Sequence, residues 1–261
     1  MNNAIFNFAE PGNEPVLAYM KGSRERDLLE KELVNQNNRV IDIPLIINGK
    51  EVRTGITGKI TSPADHSHVL ATYHMATEKE AEMAIDAALS AKCEWMNLAW
   101  MERAAIMAKA AELISKKYRF RLNAATMLGQ GKNAFQAEIE SACEVIDYLR
   151  FNNYFASLIY REQPKSGAEI INRIEYRPLE GFVYTITPFN FTAIASNLNT
   201  SVVLMGNTTV WKPASTAVLS NYYLMKIFEE AGMPAGVINF LPGSGALISG
   251  VVLKHKELAG V

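Results

Sequence analysis

The sequence predicts an α/β fold built on a parallel sheet, and three observations carry that reading. From Phe182 onward, short apolar β-rich runs alternate with stretches of helical period, in the order β-α-β-α-β-α. The first two strands, at 182–186 and 208–211, are joined by a segment of helix length, which makes them parallel and the crossover right-handed. Before them, four helical stretches between residues 77 and 160 have no matching strands, so they must cover a sheet that forms largely later in the chain.

The 261 residues are 49% hydrophobic and 20% charged, ordinary globular material with enough chain for a sizeable core. With 26 basic and 27 acidic side chains and a net charge of −1, nothing steers the chain to nucleic acid or an anionic membrane. No apolar run reaches the length of a membrane span. The start, MNNAIFNFAEPGNEP, has neither the basic opening and apolar core of a signal peptide nor the arginines of a transit peptide. Two cysteines suit a reducing compartment without a disulfide framework, so the expected setting is the cytoplasm.

Taken in order, residues 22–36 form a polar helix whose opposite charges stand three and four apart. Residues 43–54, IPLIINGKEVRT, predict a hairpin with Asn48-Gly49 at its turn. Extended pieces follow at 59–62 and 69–73. His66 and His68 between them have no third ligand nearby and read as turn-surface residues rather than a metal site. Thr77 and Glu80 make a capping box at the head of a helix that reaches about residue 98. Helices at 101–117, at 120–128 with Gly129 as its stop, and at 134–160 complete the cluster. Cys93 and Cys143, on the first and last of these, read as buried core thiols. A polar connector at 163–177 allows a further hairpin. After it the helix at 191–205 stops at Gly206-Asn207, and the next, 216–231, is capped by Ser215 and stopped by Gly232 and Pro234. A strand at 237–241, a helix opened by Gly243-Ser244-Gly245, and the beginning of a strand at 258–261 end the alternation.

In such a sheet the loops carrying Asn190 and Lys212 open on one carboxyl edge, where doubly wound sheets bind ligands. The residues there, Thr187-Pro188-Phe189-Asn190-Phe191 and then Lys212-Pro213-Ala214-Ser215, resemble the aldehyde dehydrogenase superfamily. Glu180-Gly181-Phe182 and the run GQGKNAFQAEIESACEVIDYLRFNNYFA from Gly129 resemble its branch of Δ1-pyrroline-5-carboxylate dehydrogenases, which act on L-glutamate γ-semialdehyde. The resemblance covers nearly the whole chain. It implies an aldehyde dehydrogenase-like fold in three parts. Residues 1–160 would hold an amino-terminal extension, the hairpin and the helical cluster of a cofactor-binding domain. Residues 161–178 would be a connector that helps pair subunits of a homo-oligomer, and 179–261 the incomplete parallel βα units. It further implies that the chain stops before the catalytic domain, without the nucleophilic cysteine and the general-base glutamate.

The site residues follow from the same resemblance. Asn190 would donate to the oxyanion formed when a thiolate attacks the aldehyde; the other reading is that its amide only caps the following helix. Phe191 would wall the aldehyde tunnel or simply belong to the core. Lys212 would bind the adenosine ribose of NAD, with Thr187 and Phe189 lining the cofactor cleft; otherwise it is a lysine reaching from a strand end to solvent. Gly245 would be loop geometry with a cofactor contact. Ser215 stands where some members carry an acid that repels a 2′-phosphate, which leaves NADP open beside NAD. Glu144 would face the amino end of the substrate, or else be a solvated helix carboxylate like Glu138, Glu140 and Asp147. Two functions stay open: the NAD-dependent oxidation of L-glutamate γ-semialdehyde, or another small-molecule aldehyde, by a longer protein, and an inactive nucleotide-binding module.

Overall fold

The computed structural model describes residues 8–261; residues 1–7, the start of the stretch read above as carrying no signal peptide, lie outside the described residues. Helix α1 (Arg24–Asn37) begins at Ser23, whose hydroxyl accepts from the Arg26 N–H. Strands β1 (Ile41–Ile43), β2 (Leu45–Ile47), β3 (Lys50–Val52), β4 (Thr57–Thr61) and β5 (Val69–His74) follow. The expected hairpin is β2–β3, with Leu45 opposite Val52. Asn48 (φ 51°) and Gly49 (φ 69°) both take the left-handed conformation that a two-residue hairpin turn needs.

The helical cluster comprises α2 (Glu78–Asn97), α3 (Trp100–Leu113), α4 (Arg119–Gln130), α5 (Ala134–Ala137) and α6 (Glu144–Arg161). In the capping box of α2 the Glu80 carboxylate accepts from the Thr77 N–H at 3.0 Å. No loop separates α3 from α4 or α5 from α6: π-helical turns at Ile114–Tyr118 and Glu138–Cys143 bridge them. Helix α4 runs past Gly129 and ends at left-handed Gly131. Cys93 on α2 is exposed rather than buried, because it faces away from the side of α2 packed on the sheet; Cys143 is buried as expected.

Residues 162–181 contain no helix or strand apart from one turn, in which the Gly167 N–H meets the Ile170 carbonyl at 2.9 Å. The connector folds back on itself, with the Gln163 side chain bonded to the Ile174 N–H and Asn172 Nδ2–H donating to the Lys165 carbonyl, but no strand ladder forms along it, and Ile170 and Ile171 lie exposed.

Then come β6 (Phe182–Ile186), α7 (Thr192–Leu204), β7 (Thr209–Lys212), a 3-10 turn (Ser215–Ala217), α8 (Val218–Ala231), β8 (Ile238–Phe240), α9 (Gly245–Val252) and β9 (Leu258–Gly260). Ser215 opens the 3-10 turn instead of capping α8, whose N-cap is Ala217 with no side-chain bond. Six strands lie in the order β3-β2-β8-β7-β6-β9; β9-β6-β7-β8 are parallel and the β2–β3 hairpin joins β8 antiparallel. A second sheet, β1-β5-β4, has three strands.

Alternate residues of the large sheet feed two cores. Phe182, Tyr184, Val210 and Leu241 pack with Ala81, Ala84, Ile85 and Ala88 of α2 and with Ile248 of α9. Trp211, Ile238 and Phe240 face the other side, against α3, α7 and α8. Of the helical cluster only α2 lies on the later sheet itself; α3, α4 and α6 pack on α7 and α8 instead, so they cover the helices that follow rather than the strands. Gly181 (φ 90°) admits β9: a Cβ there would stand 1.8 Å from the Glu257 carbonyl, which accepts from the Phe182 N–H at 3.0 Å.

The amino-terminal extension is pinned to the helices by a buried ionic cluster. Arg119 reaches Glu14 at 2.6 Å and also pairs with Glu138, while Arg150 reaches Glu14 at 2.6 Å. Glu138 further accepts from the Leu17 N–H, the Tyr19 hydroxyl and Asn123.

Candidate active site

The parallel crossover stitches two loops together at the carboxyl edge. The Thr187 N–H, just past β6, donates to the Lys212 carbonyl at 3.2 Å, and Trp211 Nε1–H donates to Thr187 Oγ1 at 2.9 Å. Lys212 is half-buried, and its ammonium has no hydrogen bond or ion pair among the described residues. Burial alone pulls its ammonium below the ordinary lysine value. Its chain lies against Gly245, where a Cβ would stand 3.8 Å from both Lys212 Cε and Nζ. Gly245 begins α9 behind Ser244, whose Oγ accepts from the Leu247 N–H. Thr187, Lys212 and Gly245 thus form one group, in which a desolvated cation without a partner faces a helix start. That is a fitting seat for hydroxyl-bearing or anionic groups. Ser215 is exposed three residues beyond the lysine.

A second group lies at the start of α7. Asn190 is exposed and makes no hydrogen bond among the described residues. It does not cap the helix: the N-cap position is Phe191, which has no oxygen to offer. Phe189 and Asn190 line a cavity of about 400 Å³ shared with Gln130, Lys132, His66 and Thr216. Three contacts fix this loop from outside. Gln130 Nε2 donates to the Phe189 carbonyl (2.8 Å), Thr192 Oγ1 meets Gln130 Oε1 (3.1 Å), and the Thr192 N–H donates to Glu140 Oε2 (2.8 Å). Phe191 is half-buried, with the Lys132 ammonium 4.3 Å from its ring centroid.

Glu144 is half-buried on α6; burial pushes its carboxyl up, opposed by Lys132. Glu138 and Glu140 are not solvated: they are 0% and 2% exposed. Burial, opposed by Lys132 and by the Ala193 and Thr192 amides, pushes Glu140 up to about 7. Cys143 is enclosed rather than presented to the cavity. It sits beside Arg119 (3.3 Å) inside the ionic cluster, and burial together with Glu138 pushes its thiol up to about 12.

The residues on the sheet edge stand where the sequence places them, and Gln130, Lys132 and Glu140 join them from the helical cluster without a signal in the sequence. Glu138 and Glu140 sit about 200° apart on a regular helix, so the period cannot bury both. The π-helical turn they share is enclosed on two flanks, by the extension on one and α7 on the other. A raised helix carboxylate beside an aromatic N-cap leaves no mark in the period.

Residues 53–261 match the model of the aldehyde dehydrogenase family. A probable delta-1-pyrroline-5-carboxylate dehydrogenase of Schizosaccharomyces pombe is 49% identical over 260 residues, covering 99% of this chain and 47% of the relative. The mitochondrial delta-1-pyrroline-5-carboxylate dehydrogenase of Dictyostelium discoideum is 46% identical over 256 residues, covering 98% and 46%. The crystal structure of the Mycobacterium tuberculosis Delta-pyrroline-5-carboxylate dehydrogenase bound with NAD superposes with a TM-score of 0.95 at 45% identity, over 98% of this chain and 48% of that one. The chain spans about half the length of the relatives it matches. No helix among the described residues is long and apolar enough to cross a membrane. A family match over four-fifths of the chain, together with a superposition of this quality, places the chain in the aldehyde dehydrogenase family.

Proposed function

We propose that the chain supplies the cofactor-binding half, and the oxyanion donor, of an NAD-dependent dehydrogenase that oxidises L-glutamate γ-semialdehyde to L-glutamate in proline degradation. The observation that carries the reading is Asn190: an exposed amide with no bond of its own, on a loop braced from three sides and set at the mouth of a cavity. Its side-chain N–H donates to the aldehyde oxygen as that oxygen gains charge under attack by a thiolate from outside this chain. Phe191 walls the aldehyde, and Glu144 receives the substrate's amino end. Lys212 and Thr187 hold the ribose side of the cofactor, with Gly245 leaving room and Phe189 lining the cleft. NAD, where bound, supplies the hydride acceptor. The parent protein works as a homo-oligomer, with the connector at 162–181 offering exposed Ile170 and Ile171 to a second copy.

In a chain that includes the nucleophile, Asn190→Ala lowers kcat about a hundredfold or more with cofactor affinity nearly unchanged. Equal losses in turnover and NAD binding would make Asn190 a structural residue instead. Lys212→Ala weakens NAD binding about tenfold without altering the aldehyde range, an effect of one lost charged contact. Ser215→Glu suppresses use of NADP by like-charge repulsion, and an unchanged NADP/NAD ratio in steady-state kinetics would contradict the placing of this loop.

The 261-residue chain alone reduces no NAD, because Cys143 is locked in the ionic cluster and neither it nor Cys93 lines the cavity that holds Asn190. Turnover abolished by Cys143→Ser would overturn this. The composition points to the cytoplasm and the Dictyostelium relative is named mitochondrial; cell fractionation decides between them.

A further inference from the structure

We propose that Glu140 is a positioning residue for the oxyanion loop, its carboxylate holding the first amides of α7 and so fixing where Asn190 presents its side chain. The proposal rests on the reading of Asn190 given above.

A helix start leaves four backbone N–H groups without partners, and they are usually met by an oxygen-bearing side chain at the N-cap. In α7 that position is Phe191, whose side chain lies against the Lys132 ammonium and has no acceptor. The acceptor comes instead from another helix, 52 residues earlier in the chain. Glu140 Oε2 takes the Thr192 N–H at 2.8 Å and the Ala193 N–H at 3.4 Å. Thr192 is two residues from Asn190, so a shift of this anchor moves the asparagine directly. The upstream side of the loop is already tied by Trp211, Lys212 and Gln130, and Glu140 closes the downstream side.

Glu140 is 2% exposed, and its second oxygen, Oε1, is buried without a partner. A carboxylate so enclosed is costly, and an apolar residue would serve a core position better. The arrangement makes sense if the charge is needed where it points. Ionised, it is a charge-assisted acceptor for the two amides; protonated, it is a weaker one. The charged groups that act on it are Lys132, which favours the ionised form, and Glu144, which opposes it. Helices α5 and α7 carry no titratable side chain, and Arg119 of α4 is committed to Glu138 and Glu14. The apparent value near 7 puts the change inside the working range of pH. Above it the loop is held firmly, and below it the Asn190 amide loses its anchor.

The test follows the Thr192 and Ala193 backbone amides and the Asn190 side-chain amide by nitrogen-15 NMR between about pH 5.5 and 8.5. All three should shift with one midpoint near 7. The isosteric Glu140→Gln should abolish that shared titration with the rest of the spectrum intact. Glu140→Ala should lower the exchange protection of Thr192 about tenfold or more, the expected cost of a buried donor left bare. An Asn190 amide indifferent to pH and to both variants would overturn the proposal. In the catalytically complete protein, Glu140→Gln should remove the acid limb of kcat near 7 while NAD affinity holds. If Asn190 follows Glu140 in the spectra but Asn190→Ala leaves kcat intact, the positioning role stands and the oxyanion reading fails.

Discussion

Glu138 and Glu140 stand two residues apart on the same π-helical turn, and almost none of either side chain reaches solvent. Burial pushes both upward, yet they end on opposite sides of the ordinary glutamate value. Glu138 is brought below it by Arg119, Tyr19 and the Leu17 N–H, which answer both of its oxygens. Glu140 has two backbone donors on one oxygen, none on the other, and a lysine that acts only at a distance. The difference teaches that partners set the charge of a buried acid, while burial sets only what an absent partner costs. It also separates two purposes. The first carboxylate ties the amino-terminal extension to the helices; the second faces the loop that carries the candidate chemistry.

The comparison breaks most visibly if Glu138 is made to resemble its neighbour. Arg119→Met leaves Glu138 and Glu14 buried without their shared cation, and should cost about 3–5 kcal/mol in a denaturant titration at neutral pH. The folded-state value of Glu138 is depressed, so its contribution is present above the ordinary value and lost as pH falls through the folded one. The penalty of Arg119→Met should therefore shrink in acid. A loss below about 1 kcal/mol at pH 7 would mean the cluster is an ornament of the surface.

Glu140 carries the opposite sign. Its folded value, about 7, lies above the ordinary 4.5, so the folded state binds more protons between these limits and loses stability as pH rises through them. Glu140→Gln cannot ionise. Relative to that variant, the native chain should gain on the order of 1–3 kcal/mol between pH 8 and pH 5. Parallel stability curves for the two would contradict the raised value. The smallest effect belongs to Lys132→Met, which removes the cation favouring the Glu140 charge and should move the Thr192 amide midpoint further up. A downward move would show that Lys132 acts elsewhere.

The sheet edge was legible in the sequence, and the reasons are local. Phe182 to Ile186 and the helix after Asn190 announce themselves by period, Asn48-Gly49 by turn chemistry, and Thr77 with Glu80 by spacing. What escaped depends on tertiary surroundings. Nothing near Cys93 says that its side of α2 is open, and nothing near Ser215 says that a 3-10 turn precedes α8. The connector's isoleucines suggest strands that no neighbouring sheet accepts. Glu140 is the sharpest case: it is read as solvated until α7 is placed over it.

The most direct measurement is a carbon-13 titration of the Glu138 and Glu140 carboxyl carbons, assigned through Glu138→Gln and Glu140→Gln. Expected are a Glu140 midpoint near 7 and a Glu138 signal that stays in its ionised position below the ordinary glutamate range. Two carboxyls titrating together near 4.5 would contradict it.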